Sequence, residues 1–322
     1  MMRDAVQLIQ SARRVFAASH VDHDGDAVGS LLGFAYTLRR LGKTVTVALA
    51  DPVSWRFEHL PGAEEIRPVK PSPDDDLLVS LDASEFNRLG AVLTPDDLAG
   101  RPLLMIDHHI TNSRFGTVNV LDPTAASTCE ILYALALALG VTPDPTIATC
   151  LLTGVVTDTL GFRTTSTTPR SLEVAQALMH AGADLSDICQ RAFNSDTYAR
   201  LCLTADVLHR MTMDNGVLWS QVTLDDLRRL GVPYSESAGL VGYLNSVREA
   251  RVAVIFRENE DGRIDVSMRS KPGISLAPVA LALGGGGHPQ AAGATLPPPI
   301  QVARERALAE IRKLLDGTPP PA

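Results

Sequence analysis

Short apolar runs that stop abruptly on acids and histidines set the pattern of this chain. Residues 15–18, 77–81 and 102–106 are strand-length stretches of mostly apolar residues, as expected of strands buried on both faces. The first leads into His20-Val21-Asp22-His23-Asp24-Gly25-Asp26, the second ends on Asp82, and the third ends on Asp107-His108-His109. Between them the spacing changes. Leu31, Leu32, Phe34, Ala35 and Leu38 follow the first cluster at helical intervals. Residues 44–50 alternate like a strand, 4–13 and 85–93 read as helices, and 117–120 as a further strand. Ser127 and Glu130 fit a capping box ahead of a helix over 131–139, and another helix runs from 145 to 158. Strands alternating with helices predict an α/β fold, a parallel sheet with right-handed crossovers and helices on both faces. Such sheets bind ligands beyond the carboxyl ends of their strands, so the three polar clusters should converge on one rim.

The second half reads differently. Residues 169–180, 185–193 and 196–210 look helical, and strands then dominate at 217–223, 252–257 and 264–269. These shifts predict a parallel-sheet domain over 1–185, a helical connector over 186–210, a smaller α/β domain over 211–317, and a disordered Pro-rich tail at 318–322. Gly284-Gly285-Gly286-Gly287-His288 interrupts the smaller domain. Four consecutive glycines cost conformational entropy. Exposed backbone N–H groups, completed by the N-terminus of a following helix, would justify that cost as an anion cradle; a flexible hinge is the alternative. Arg269 shares a side of its strand with Ser267 and Lys271 by the period of two, which would supply phosphate partners nearby.

Net charge is -8 over 322 residues, so the surface as a whole does not recruit nucleic acid, and no long basic track is evident. The four cysteines, Cys129, Cys150, Cys189 and Cys202, show no paired spacing and read as buried free thiols of a reducing compartment. No signal-peptide core opens the chain, and Pro143, Asp144 and Pro145 interrupt its longest apolar stretch. The reading is cytoplasmic, with no membrane segment.

The acids define the candidate chemistry. Three carboxylates and two imidazoles within seven residues, from His20 to Asp26, repel one another and resist burial unless a cation neutralises them. Asp24-Gly25-Asp26 lets two carboxylates diverge towards different ions. An acidic, solvated loop is the plain alternative for this stretch alone. Asp158 closes an apolar helix, where the helix dipole disfavours it, and a metal would explain its place.

His-x-x-x-Asp-x-Asp at 20–26, Asp82, Asp107-His108-His109, Thr157-Asp158-Thr159 and Gly284–His288 together resemble the DHH phosphoesterases, including their DHH-associated C-terminal domain, over nearly the whole chain. Among members the chain is similar to the short stand-alone type, called nano-RNase or oligoribonuclease/pAp-phosphatase. RecJ exonucleases are longer, and the membrane-bound cyclic-dinucleotide phosphodiesterases carry extra N-terminal domains. The resemblance implies two metal sites, usually manganese: His20, Asp24 and Asp82 at one, and Asp26, Asp82, His108 and Asp158 at the other, with Asp82 bridging. Mixed imidazole and carboxylate donors agree with manganese, iron, cobalt or zinc. Asp107 would orient a histidine, and His109 would point at the phosphoryl group. His23 stands where relatives often have Pro; it is read as a solvent-facing substitute, with an added phosphate or metal contact as the alternative, and Asp22 as solvated.

The implied activity is hydrolysis of short oligonucleotides, RNA or DNA, and/or 3′-phosphoadenosine 5′-phosphate by two-metal hydroxide attack. Gly285, Gly286, Gly287, His288 and Arg269 would grip the substrate's other end across a cleft between the domains, with Lys271 and Arg248 in support; an ion pair of Arg248 with Glu249 or Glu258 is the alternative for that residue. Competing readings are a cyclic or linear dinucleotide phosphodiesterase, a pyrophosphate or polyphosphate hydrolase, and a catalytically silent nucleotide sensor. A homodimer is left open.

Overall fold

The computed structural model describes residues 1–316; the tail expected at 318–322 and the last residue of the 211–317 segment lie outside the described residues. The chain divides into two units, Met1–Ser195 and a second beginning at Asp196. The division falls inside the stretch 186–210.

The first unit runs α1 (Met2–Ser11), β1 (Arg14–Ala18), α2 (Gly25–Arg40), β2 (Thr44–Ala48), β3 (Leu77–Leu81), α3 (Pro95–Leu98), β4 (Leu103–Asp107), β5 (Val118–Leu121), α4 (Thr128–Ala138), α5 (Pro145–Asp158), α6 (Pro169–His180) and α7 (Leu185–Phe193). Its strands form one parallel sheet in the order β2-β1-β3-β4-β5. Burial on both faces explains the unbroken apolar runs. Val15 and Ala17 join the large core with α2, α4 and α5, while Phe16 and Ala18 join a smaller core on the other face. Short turns and α3 cover that second face. The helix expected over 85–93 is a 3-10 segment, Phe86–Val92, broken at Gly90 (φ 62, ψ -147). The break has a packing cause: a Cβ at Gly90 would lie 2.8 Å from Val21 Cγ1 and 3.0 Å from Ala50 Cβ.

The second unit runs α8 (Tyr198–His209), β6 (Thr212–Asp214), β7 (Val217–Val222), α9 (Leu224–Leu230), α10 (Val241–Asn245), β8 (Val252–Glu258), β9 (Ile264–Ser270), α11 (Ala277–Ala282), β10 (Gly286–His288), β11 (Ala291–Leu296) and α12 (Ile300–Asp316). Its mixed sheet has the order β10-β11-β9-β8-β7-β6, with only β7 and β8 parallel. The glycine stretch departs from expectation. A strand, not a helix, follows it, so no helix N-terminus completes a cradle. Two of its glycines have a structural reason: a Cβ at Gly285 would sit 2.0 Å from the Gly293 carbonyl oxygen, and one at Gly287 2.6 Å from that of Ala291. Close pairing of β10 with β11 demands them. No helix among the described residues is long and apolar enough to cross a membrane.

Candidate metal centre

The carboxyl ends of β1, β3 and β4 and the last residue of α5 bring the acids and histidines of the first unit together. Parallel strands place all three strand ends on one rim, and α5 delivers Asp158 there from its C-terminus. Asp24 is the N-cap of α2, its Oδ1 accepting from the Asp26 and Ala27 N–H groups at 3.0 and 3.1 Å. Asp26, in the first turn of α2, is fully buried. Asp82 takes a left-handed backbone (φ 56) that costs a non-glycine residue about 1–3 kcal/mol, as strained residues at functional sites do.

Three groups of donor atoms result, each with all members within 4.8 Å of one another: His20, Asp24 and Asp82; Asp26, His108 and Asp158; and Asp82, Asp107, His108 and His109. His20 Nε2 lies 3.6 Å from Asp82 Oδ2 and 4.0 Å from Asp24 Oδ1. His108 Nε2 lies 3.6 Å from Asp82 Oδ1 and 3.1 Å from Asp158 Oδ2. Donors bound to one ion at about 2.0–2.2 Å sit roughly 3 Å apart, so these separations suit a cation between them. His20 Nδ1 faces the Val21 carbonyl oxygen at 2.8 Å and Arg88 Nη2 at 3.2 Å, so Nδ1 is turned away from the acids while Nε2 faces Asp82 and Asp24.

The electrostatics suit a cation as well. Burial, reinforced by the charges of Asp26 and Asp24, holds Asp82 well above the carboxylate range. Burial and the Asp26 charge push Asp158 up to about 7 against its hydrogen bond from His108. Burial also raises Asp26, with the Asp24 charge adding to it and His108 opposing. Burial works against a charged His108, but Asp158, Asp82 and Asp26 overrule it and raise its pKa well above 6.5. A divalent ion in this donor set would remove the repulsion that these shifts record.

Asp107 is different. Its Oδ1 accepts from the His108 and His109 N–H groups at 2.8 and 3.2 Å and from His109 Nδ1 at 2.7 Å, and its Oδ2 accepts from Asn112 Nδ2 at 2.6 Å. Burial alone would raise it, but these bonds and the two histidines hold it below the ordinary value. A carboxylate so fully engaged orients neighbours.

Three neighbours of the centre escaped the reading of the chain. Thr128 Oγ1 donates to Asp82 Oδ1 at 2.9 Å, and the Thr128 and Cys129 N–H groups donate to the two oxygens of Asp26 at 2.6 and 3.0 Å. Arg88 Nη2 lies 3.2 Å from His20 Nδ1 and from the Val21 carbonyl oxygen. Asn112 reaches Asp107. An isolated Thr, Arg or Asn between apolar runs gives no periodic or charge signal; only Ser127-Thr128 at a helix start was visible. Ser127 does cap α4, accepting from Glu130 N at 3.1 Å, but the Glu130 carboxylate turns to the Ala126 N–H and to Arg170 and does not close the box. His23 is another correction. It is half-buried, its Nε2 accepting from Ser54 N at 3.0 Å, because the 51–57 segment packs over the loop. It belongs to none of the donor groups. Asp22 is exposed, its N–H bonded to Asp51 Oδ2 at 2.9 Å.

In the second unit, Arg269 lies half-buried on β9, its Nη1 donating to the Met268 carbonyl at 2.9 Å, and loss of water lowers its pKa. Lys271 Nζ donates to the Asn245 carbonyl at 2.6 Å. Arg248 is exposed and, among the described residues, forms no ion pair with Glu249 or Glu258. Gly286 has open space where a Cβ would be. The His288 backbone lies in β10; its side chain is outside what is described.

The chain matches the DHH family, N-terminal domain, over residues 14–155 and the DHHA1 domain over residues 214–317. It is 38% identical over 304 residues to the bifunctional oligoribonuclease and PAP phosphatase NrnA of Thermus thermophilus, covering 94% of this chain and 90% of that one. An exopolyphosphatase-related protein from Bacteroides fragilis shares the fold with a TM-score of 0.87 at 24% identity, covering 98% of this chain and 95% of that one. RecJ from Thermus thermophilus, solved in complex with Mn2+, shares it with a TM-score of 0.59 at 14% identity over 100% of this chain and 55% of that one. The motifs, the shared rim of donors and these likenesses make the chain a member of the DHH family, with the DHHA1 domain after the DHH domain, alongside the NrnA relatives.

Proposed function

We propose that the protein is a manganese-dependent phosphoesterase that hydrolyses short oligonucleotides and 3′-phosphoadenosine 5′-phosphate. The observation that carries this is Asp82: its Oδ2 faces His20 and its Oδ1 faces His108, the disposition a carboxylate shared by two ions requires. His20, Asp24 and Asp82 would hold one ion, and Asp26, Asp82, His108 and Asp158 the other. A pair of divalent ions supplies charge to a phosphoryl oxygen and lowers the pKa of bound water towards neutrality. The chain's own residues do the rest. Asp107 fixes the ring of His109 through Nδ1, so that the imidazole is held in one orientation towards the phosphoryl group. Thr128 and the N-terminus of α4 keep Asp82 and Asp26 in place.

The named activity of the Thermus thermophilus NrnA supports the substrate class, and RecJ, solved with Mn2+ and with Mg2+, supports a divalent metal. For the second domain, Arg269, the backbone around Gly285, Gly286 and Gly287, and His288 are the proposed clamp on the substrate's far end, with Lys271 and Arg248 in support. All four cysteines are free thiols, which supports a reducing, cytoplasmic setting.

The test is a manganese-supplemented panel of short RNA, 3′-phosphoadenosine 5′-phosphate, linear and cyclic diadenylate, and pyrophosphate, with Asp82→Ala as control. Turnover of the first two, lost together with metal binding in the variant, is the expected result. Hydrolysis of pyrophosphate alone would establish the pyrophosphatase reading instead. Turnover of cyclic diadenylate alone would establish the cyclic-dinucleotide one. A sensor would bind nucleotide unchanged in the variant.

A further inference from the structure

We infer that Asn112 is a positioning residue for the proposed reaction, holding His109 through Asp107; the inference rests on the phosphoesterase reading above. Asn112 lies on the loop after β4, and its side chain spans two strand ends. Nδ2 donates to Asp107 Oδ2 at 2.6 Å and to the Ala83 carbonyl oxygen at 2.9 Å, just beyond Asp82. Oδ1 accepts from the Arg114 N–H at 2.6 Å. The amide can face only this way, because a flip would set its oxygen against two acceptors and its NH2 against a donor.

Asp107 is fully buried, and among the described residues no Arg or Lys bonds to it. Its Oδ1 is occupied by the His109 ring and two backbone N–H groups. Its Oδ2 is the lever: turning the carboxylate about its own axis would carry Oδ1 away from His109 Nδ1. Asn112 is the side chain that stops the turn. Removing it strands a buried acceptor and lets the carboxylate rotate, so the His109 ring loses its fixed reference without leaving its place.

Asp82, the proposed shared donor, does not depend on this bond. Asp82 keeps its own anchors, its N–H donating to the Ile106 carbonyl at 2.9 Å and its Oδ1 accepting from Thr128. The two loops remain stitched by Ser113 N to the Ser84 carbonyl at 2.9 Å. Asn112 therefore acts on the group facing the phosphoryl rather than on the ion cage. This separates it from a residue that merely keeps the fold.

The experiment uses the full chain with manganese. Asn112→Ala, and Asn112→Asp, which keeps the shape and an acceptor for Arg114 but removes the donor, are each made alone and on a His109→Ala background. Each should lower kcat about 10–100-fold, as loss of a partner behind a functional side chain does, with KM and manganese affinity by calorimetry unchanged. On the His109→Ala background the further loss should be less than about twofold. Equal loss on both backgrounds, or weakened manganese binding, overturns the inference. With diamagnetic magnesium in place of manganese, a proton NMR signal of the His109 Nδ1–H, slow to exchange in the parent and lost in Asn112→Ala, is the independent readout; its persistence with unchanged exchange also overturns the inference. If the parent hydrolyses nothing in the panel, the phosphoesterase reading falls and the NMR signal alone decides whether Asn112 holds the ring.

Discussion

At the scale of single residues, the centre is a set of charges whose protonation opposes one another. Asp158, raised to about 7, and Asp82, raised well above 3.8, are carboxyls the metal-free fold prefers protonated. Their contribution to stability is complete below the ordinary 3.8 and is lost as pH rises through the folded values. His108, raised above 6.5, likewise favours the fold until pH passes its folded value. Asp107 runs the other way: its pKa is lowered, so its contribution is present above 3.8 and is lost only as pH falls through the folded value. The metal-free protein should therefore melt at progressively lower temperature as pH rises from about 5 to about 7.5. Manganese should reverse the slope, because binding expels these protons. Melting curves across that range, with and without metal, decide it; a metal-free melting temperature that climbs with pH contradicts the assignment. The acids and histidines that the fold brings together were legible as residues because they end apolar strands abruptly. Thr128, Arg88 and Asn112 were not, because a neutral or lone polar residue carries no pattern until its partner, 46, 68 or 5 positions away, is seen.

At the scale of elements, the N-terminus of α4 is the node. Its first N–H groups take the Asp26 carboxylate from α2, the anion a helix start prefers, and Thr128 takes Asp82 from the end of β3. Close approach of α5 makes this possible. A Cβ on Gly154 would lie 2.3 Å from Cys129 Sγ and 2.4 Å from Asp26 Oδ1. Helix propensity favours Ala over Gly by about 1 kcal/mol, but overpacking costs about 1–3 kcal/mol. Gly154→Ala should thus destabilise the protein and weaken manganese binding by displacing Asp26. Gly242→Ala in α10, with open space around it, should be neutral or stabilising. Denaturant melts of the two variants side by side check both signs. The strands were readable because both faces are apolar. The 3-10 segment over Phe86–Val92 was not, because its apolar residues are spaced like a helix while Gly90 bends to clear Val21 and Ala50.

At the scale of the whole molecule, a net charge of -8 gives a long strand little overall electrostatic attraction. The proposed enzyme should therefore degrade RNA of two to four nucleotides at least about tenfold faster per end than a 24-mer. Comparable rates on both, followed by gel over time, would contradict that reading. Arg269, whose pKa loss of water lowers, is half-buried in a mixed sheet whose Gly-rich edge has its own packing reasons. The cost of the four glycines has a packing cause at two of them, Gly285 and Gly287, where close pairing with β11 leaves no room for a Cβ.

What the order of residues determined by itself was the strands of the first unit, their parallel arrangement and the acids and histidines at their ends, because local periodicity and abrupt polarity changes are properties of neighbours in the chain. Only the tertiary structure decided how those ends meet: that Asp82 turns one oxygen to His20 and the other to His108, that Asp107 is consumed by His109 and Asn112, and that His23 points inward. Those are distances between residues far apart in the chain, set by packing of α2, α4 and α5 against the sheet, and no local pattern encodes them.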